Sequence, residues 1–221
     1  MQRASKLFTS EQRQHVARAV TAAEAGTSCE IVPVVATASG RYDRPEDIVG
    51  VWMGVLAAMA VARWCPPRPS EPGSWGVDAA LWMPLVVLPA FMIGAAAASR
   101  IGWLRRLFTP RAQMRAEVAA RARQVFFDQR VYRTRGDTGV LIYVSLFERM
   151  AAVLASQAIL DKLGTSLVDR LCRQLTDGLR QGHPTEALCA VIADAGRQLS
   201  APFPRVANDV NELSDALVVI D

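Results

Sequence analysis

Histidine, paired cysteine and phosphate-cradling glycine loops are what this sequence has least of. His15 and His183 are the two histidines in 221 residues. Neither has a serine or cysteine partner in a recognisable motif, so a nucleophilic triad is not expected. His183 precedes Pro184 in the manner of a helix cap, and His15 falls on a polar helix face. The four cysteines, at 29, 65, 172 and 189, show no CxxC spacing. That argues against a zinc knuckle or a redox motif and leaves free thiols packed as small apolar groups, suited to a reducing cytoplasm. No glycine-rich phosphate loop appears. Arg3 and Lys6 near the start are followed by a polar helix pattern, so no signal peptide is expected there.

Charge is missing in a more informative way. Overall, 51% of residues are apolar and 21% charged, close to soluble averages. Yet residues 48–62 and 79–99 contain no charged side chain. The first run is short for a span by itself. It reaches about 18 residues if Arg63 snorkels to the interface and Trp64 and Cys65 are included. The second, at ~1.5 Å per residue, spans roughly 31 Å, about one hydrocarbon core. Between them Pro66, Pro67, Pro69 and Pro72, with Gly73 and Gly76, exclude regular helix. Pro84 and Pro89 are expected to kink the second helix, while Gly94 and the alanines at 95–98 let the first pack closely. Trp52, Trp64, Trp75, Trp82 and Trp103 lie in or near the two runs, several at interface depth. The competing reading, two core helices of a soluble protein, fails on size. A chain of this length has room for one domain and a short membrane element, not for a domain that surrounds two helices apolar on every side.

The basic residues are uneven too. The net charge is +4, but arginines at 100, 105, 106, 111, 115, 121, 123, 130, 133 and 135 face only Glu117 and Asp128 over the same stretch. Such a cluster beside an apolar run is read as a surface for anionic membrane lipid. A nucleic-acid partner is not expected, because aromatic interleaving and binding motifs are missing. Arg41 and Arg44 precede the first run, and the connection holds only Arg63 and Arg68. The bias places both termini in the cytoplasm and residues 63–78 outside.

The remaining sequence reads as a small α/β domain. Thr9-Ser10-Glu11-Gln12 has the form of a capping box, followed by Val16, Val20 and Ala23 at helical spacing and Gly26 as a stop. Residues 30–36 form a short valine-rich strand, and Pro33, lacking an N–H, favours an edge or a bulge over the sheet centre. Thr109-Pro110 opens a helix carrying Met114, Val118, Ala122 and Val125. The turn 136–139 leads to a strand at 140–145, and Phe147-Glu148-Arg149 connects it to an antiparallel partner at 150–155. Leu167, Leu171, Leu175 and Leu179 mark one amphipathic helix, and Leu188, Val191, Ile192, Ala195 and Leu199 another. The tail from 203 is polar until residues 217–220, which either add a short strand or stay loose. Neither part of this split domain can bury a two-sided sheet alone, so the strand at 31–36 is expected to join those at 140–145 and 150–155, with helices on both faces.

The order of elements, together with Thr27-Ser28-Cys29-Glu30-Ile31-Val32, with Arg133 through Ser145 around Gly136-Asp137-Thr138-Gly139-Val140-Leu141-Ile142, and with Asp209-Val210-Asn211-Glu212-Leu213, resembles the TPM domain family. The likeness is to bacterial membrane members whose domain is interrupted by a transmembrane pair. It implies a small α/β/α sandwich carrying a two-helix transmembrane hairpin, placed in the inner membrane as a two-span protein. The expected division is 1–47 and 105–200 for the two parts of the domain, 48–104 for the hairpin and 201–221 for a polar tail. The resemblance implies a role in assembly or quality control of membrane complexes, with membrane lipids and another membrane protein as partners. Some members bind a divalent metal such as Ca²⁺ and have weak phosphatase activity, which is the alternative function. The family's acidic loop matches at Asp137, and Glu30 at the start of a strand is the other candidate metal ligand. A second acidic, glycine-bearing stretch of the family reads here Ala155-Ser156-Gln157-Ala158-Ile159, with neither feature. Two carboxylates fall short of the six to eight oxygens that Ca²⁺ takes. An interaction factor is therefore expected ahead of an enzyme, and no catalytic residue is assigned.

Overall fold

A computed structural model describes residues 3–42, 44–64, 77–101, 106–206 and 208–221. The proline-rich connection 65–76, with Cys65, Arg68 and Trp75, and Trp103 and Arg105 lie outside the described residues. The chain forms two compact units, one made of Arg41–Arg111 and the other of Gln2–Gly40 with Ala112–Asp221.

The second unit is α/β. Its elements are α1 (Ala4–Leu7), α2 (Ser10–Glu24) and β1 (Glu30–Ala36), then α5 (Arg111–Asp128), β2 (Gly139–Ser145), β3 (Met150–Ala155), α6 (Gln157–Arg180), α7 (Pro184–Ser200) and β4 (Val218–Ile220). The capping box forms: Thr9 accepts from the Gln12 N–H, and the Gln12 side chain accepts from the Thr9 N–H, satisfying donors that a helix start leaves open. The sheet order is β3-β2-β1-β4. β1 runs parallel to β2 from Glu30↔Gly139 to Ala36↔Ser145, and parallel to β4 from Val34↔Val218 to Ala36↔Ile220. β3 returns antiparallel to β2. The strand that precedes the apolar runs thus joins strands about a hundred residues later, as expected, and the tail supplies a fourth strand.

The expectation that Pro33 keeps β1 at an edge needs correction, because β1 lies between β2 and β4. The reason is local. The Glu30 N–H points to β2, bonding Thr138 O at 3.2 Å, and the Thr37 N–H points to β4, bonding Ile220 O at 2.8 Å. Alternation along the strand therefore turns the amide positions of Ile31, Pro33 and Val35 toward β4. β4 pairs only with Val34–Ala36, so the missing N–H of Pro33 faces the stretch β4 does not reach. The proline occupies the one side of an inner strand that behaves as an edge.

Helices cover both faces. Ile31, Val35, Val140, Ile142, Val144 and Val153 pack with Val16 and Val20 of α2, Leu167, Leu171 and Leu175 of α6, and Leu188, Ile192 and Leu199 of α7. On the other face Val32, Val34, Leu141 and Tyr143 pack with Val118, Ala122 and Val125 of α5. Every residue of β1 and β2 is buried, as inner strands covered on both faces require. At the start of β2 a Cβ on Gly139 would lie 2.0 Å from the Val131 carbonyl oxygen, so only glycine fits there.

In the first unit, α3 (Arg44–Trp64) and α4 (Val77–Arg100) pack on each other, α4 continuing through Pro84 and Pro89. A Cβ on Gly94 would meet Met53 Cγ at 2.7 Å, and one on Gly50 would meet Phe91 Cε2 at 2.8 Å. Small residues set the closeness of the pair, as expected for Gly94. The segments Glu46–Trp64 and Met83–Arg100 have mean hydropathies of 1.4 and 1.5 and are long and apolar enough to cross a membrane.

Two outcomes follow. Replacing residues 48–100 with a short Gly/Ser linker should yield a soluble domain that melts cooperatively, whereas residues 109–221 alone should not, because β2 and β4 both lose their parallel partner. Cooperative melting of 109–221 would contradict the split sheet. Gly139→Ala should cost about 2 kcal/mol or more in denaturant unfolding, since the obstacle is backbone and not a flexible side chain.

Candidate functional site

The side of β1 that β4 leaves open is closed by carboxylates. Glu24, the last residue of α2, accepts the Ile31 N–H at 2.7 Å. The Glu30 carboxylate accepts the N–H groups of Glu212 at 3.1 Å and Leu213 at 3.3 Å, fastening the tail before it becomes β4. Asp215 accepts from the Thr21 hydroxyl and the Asn211 amide. Arg205 stands 3.7 Å from Asp209. These side chains line a cavity of about 50 Å³, large enough to hold water.

Two of these acids titrate away from their ordinary range, burial being the leading cause. Burial pushes the Glu24 carboxyl up to about 8, and Glu30 and Asp215 add to the shift, while the Ile31 N–H and Arg205 oppose it. Burial also raises Glu30, against the two N–H groups it accepts. The neighbouring Cys29 thiol is pushed up to about 11, again by burial first, so it is no thiolate at neutral pH.

Of the two predicted metal ligands, Glu30 lines this cavity and Asp137 does not. Asp137 sits in the turn before β2 with a left-handed φ of 56°, its N–H bonding Thr134 O at 3.0 Å. Ser156, just past β3, donates its hydroxyl to Gly139 O at 3.0 Å and accepts the Gly139 N–H at 2.9 Å. It staples two strand ends and offers no ligand. Among the described residues no three carboxylate, thiol or imidazole groups converge to hold an ion. Both Glu30 oxygens take backbone donors, and a guanidinium shares the cavity. In this arrangement the residues do not fit a Ca²⁺ site, which needs several free carboxylate oxygens.

Sequence reasoning missed Glu24, Asp209 and Asp215 as parts of this cluster. Asp209 and Glu212 lie in the tail segment that carries the family resemblance. Glu24 offers no such signal, since an acid in the last turn of a helix reads as a solvated residue.

A second polar cluster lies at the other end of β1 and β2. Glu148, 1% exposed, accepts the Ser39 N–H at 2.8 Å and the Ser145 hydroxyl. Ser39 Oγ donates to Ser145 Oγ at 2.9 Å and lies 2.9 Å from the Tyr143 hydroxyl. Burial raises Tyr143 above its ordinary range. Here too a glutamate accepts an N–H just past a strand end.

No family model matches the chain, and no curated protein matches it. Among solved structures it is similar to the BA42 protein of the psychrophilic bacterium Bizionia argentinensis, solved by NMR. The TM-score is 0.55 at 18% identity, covering 96% of this chain and 94% of that one. At that identity the likeness establishes a shared fold and nothing about function.

The shift at Glu24 has a pH consequence. The unfolded chain releases this proton near the ordinary 4.5 and the folded chain near about 8. Between these values the folded state holds the extra proton, so this contribution to stability is full below about 4.5, falls as pH rises and is lost above about 8. Glu24→Gln keeps an oxygen for the Ile31 N–H and removes the titration. Its melting temperature should fall less than that of the parent between about pH 5 and pH 8; parallel melting curves for the two proteins would contradict the assignment.

Proposed function

We propose that this protein is a bacterial inner-membrane member of the TPM type, in which α3 and α4 span the bilayer as a hairpin and the α/β unit works in the cytoplasm as a non-enzymatic interaction factor. Its task on this reading is assembly or quality control of a membrane complex, with membrane lipid and another membrane protein as partners. One observation supports the membrane part of this reading. Only 11% of each apolar segment is buried, whereas a core helix of a soluble protein is mostly buried. Val51, Trp52, Leu56, Met59, Leu85, Leu88, Met92 and Ile93 are exposed, and clustered exposed apolar side chains mark an interaction or membrane surface. The α/β unit meanwhile fills both faces of its sheet with its own helices.

The arginine distribution supports the cytoplasmic placement. The side-chain chemistry supports binding over catalysis. The acids Glu24, Glu30, Glu148 and Glu212 each accept backbone N–H groups, and burial raises the thiols of Cys29, Cys172 and Cys189. The alternative, a divalent-metal-dependent phosphatase-like hydrolase, rests on the acidic cavity at Glu30 and on Asp137.

After high-salt and carbonate washing the protein should remain with the membrane; recovery as monodisperse protein in detergent-free buffer would contradict the hairpin reading. In intact cells an impermeant thiol reagent should reach Cys65 and spare Cys172, and the reverse pattern would invert the topology. Millimolar Ca²⁺ or Mg²⁺ should leave the melting temperature unchanged. A concentration-dependent rise that disappears in Glu30→Gln would favour the hydrolase, and its loss in Asp137→Asn as well would bring Asp137 into the site.

A further inference from the structure

A crevice of the α/β unit lies away from the acidic cluster, beyond the carboxyl end of β2, with a volume of about 490 Å³. That falls within the range of roughly 300–1,000 Å³ typical of small-molecule sites. In α/β sheets ligands favour the crevice outside the carboxyl ends of the strands. The walls are apolar: Leu7 from α1, Leu146 just past β2 and Leu179 from the end of α6. Leu7 is held there by its short helix, whose Ala4 N–H bonds Thr37 Oγ1 at 2.7 Å and whose Ser5 carbonyl accepts from Arg13 at 2.7 Å.

Two arginines, Arg149 and Arg180, complete the lining, with no carboxylate among the lining residues. Arg180 pairs with Asp177 on the exposed helix surface. Arg149 makes no ion pair among the described residues. It also occupies a costly position. Its φ is 51°, in the left-handed region that glycine or asparagine fills with less strain. That backbone turn directs the chain from β2 into β3 with Arg149 on the rim of the cavity. The hydroxyls of the lining are spent: Ser145 donates to Glu148, and Thr176 donates to Cys172 O at 2.7 Å. With those protons engaged, the two guanidinium groups are the charged donors of the lining.

We propose that this cavity binds an anionic single-chain amphiphile, its acyl chain against Leu7, Leu146 and Leu179 and its carboxylate or phosphate head on Arg149 and Arg180. The chemistry is shared by a free fatty acid and by a lysophospholipid. The proposal is independent of how α3 and α4 relate to a membrane.

The test uses the full chain in phosphatidylcholine nanodiscs and a photoreactive fatty acid, with labelled residues mapped by mass spectrometry. Labelling is expected next to Leu146 or Leu179, competed by decanoate or by decanoyl-lysophosphatidylglycerol and not by decanol or inorganic phosphate. Competition by decanoate identifies a free acid as the ligand, and competition by the lysophospholipid alone identifies a lipid; both support the site. Arg149→Gly should weaken competition about tenfold, the loss of one charge-assisted contact, without lowering the melting temperature, because glycine suits the backbone there. Arg180→Gln should weaken it in the same direction. Labelling confined to α3 and α4, equal competition by decanol or by inorganic phosphate, or undiminished competition in Arg149→Gly would each overturn the proposal.

Discussion

Strand β1 has neighbours on both sides, and neither lies near it in the sequence. β2 begins after the whole of α3, α4 and α5, and β4 is made of the last residues of the chain. Because β2 and β4 both run parallel to β1, no tight hairpin could have made these pairings; parallel strands need long crossovers. The apolar pair α3 and α4 occupies one crossover, and the α6–α7 layer with the tail occupies another. The loop-closure cost of such connections grows only slowly with length. An insertion as long as the hairpin is therefore tolerated, provided that the pairing at β1 survives.

Much of the rest serves that pairing. β4 is too short to cover β1, and the exposed N–H groups near its start would be costly if left without partners. Glutamates supply the acceptors. Glu24 takes the Ile31 N–H, Glu30 takes two from the incoming tail, Glu212 takes the Arg135 N–H before β2, and Glu148 takes the Ser39 N–H beyond β1. Asp221 does the same for the Ser5 N–H. This use of acids accounts for a cluster that resembles a metal site in composition without offering its free oxygens. Burial, and after it the charges of Glu30 and Asp215, disfavour a carboxylate at Glu24 and raise its pKa against the opposing Ile31 N–H and Arg205.

The sequence made legible what depends on local pattern. The capping box at Thr9 and Gln12, the strands at 140–145 and 150–155 and the leucine stripes of α6 and α7 all occur where periodicity places them. Pairing of β1 with the later strands followed from asking which fragment could bury a sheet. What was not legible depended on partners far away in the chain. Pro33 argued for an edge, and only the short reach of β4 reconciles it with the sheet interior. Glu24 carries no sequence mark of its role, because Ile31 is brought to it by the fold. The cavity at Arg149 was hidden for the same reason: its walls come from α1, β2, α6 and the start of α7, and the strain at Arg149 belongs to the backbone.

The central claim is that β1, supplied from before the apolar hairpin, is an integral inner strand of the sheet. Native-state amide hydrogen exchange on the full chain tests it most directly. The account predicts that the N–H groups of Val32 and Val34, directed at β2, exchange as slowly as those of Leu141 and Tyr143, through opening of the whole domain. Fast exchange across residues 30–36 while β2 and β3 stay protected would show that β1 is a detachable strand, and the split-sheet account would fall.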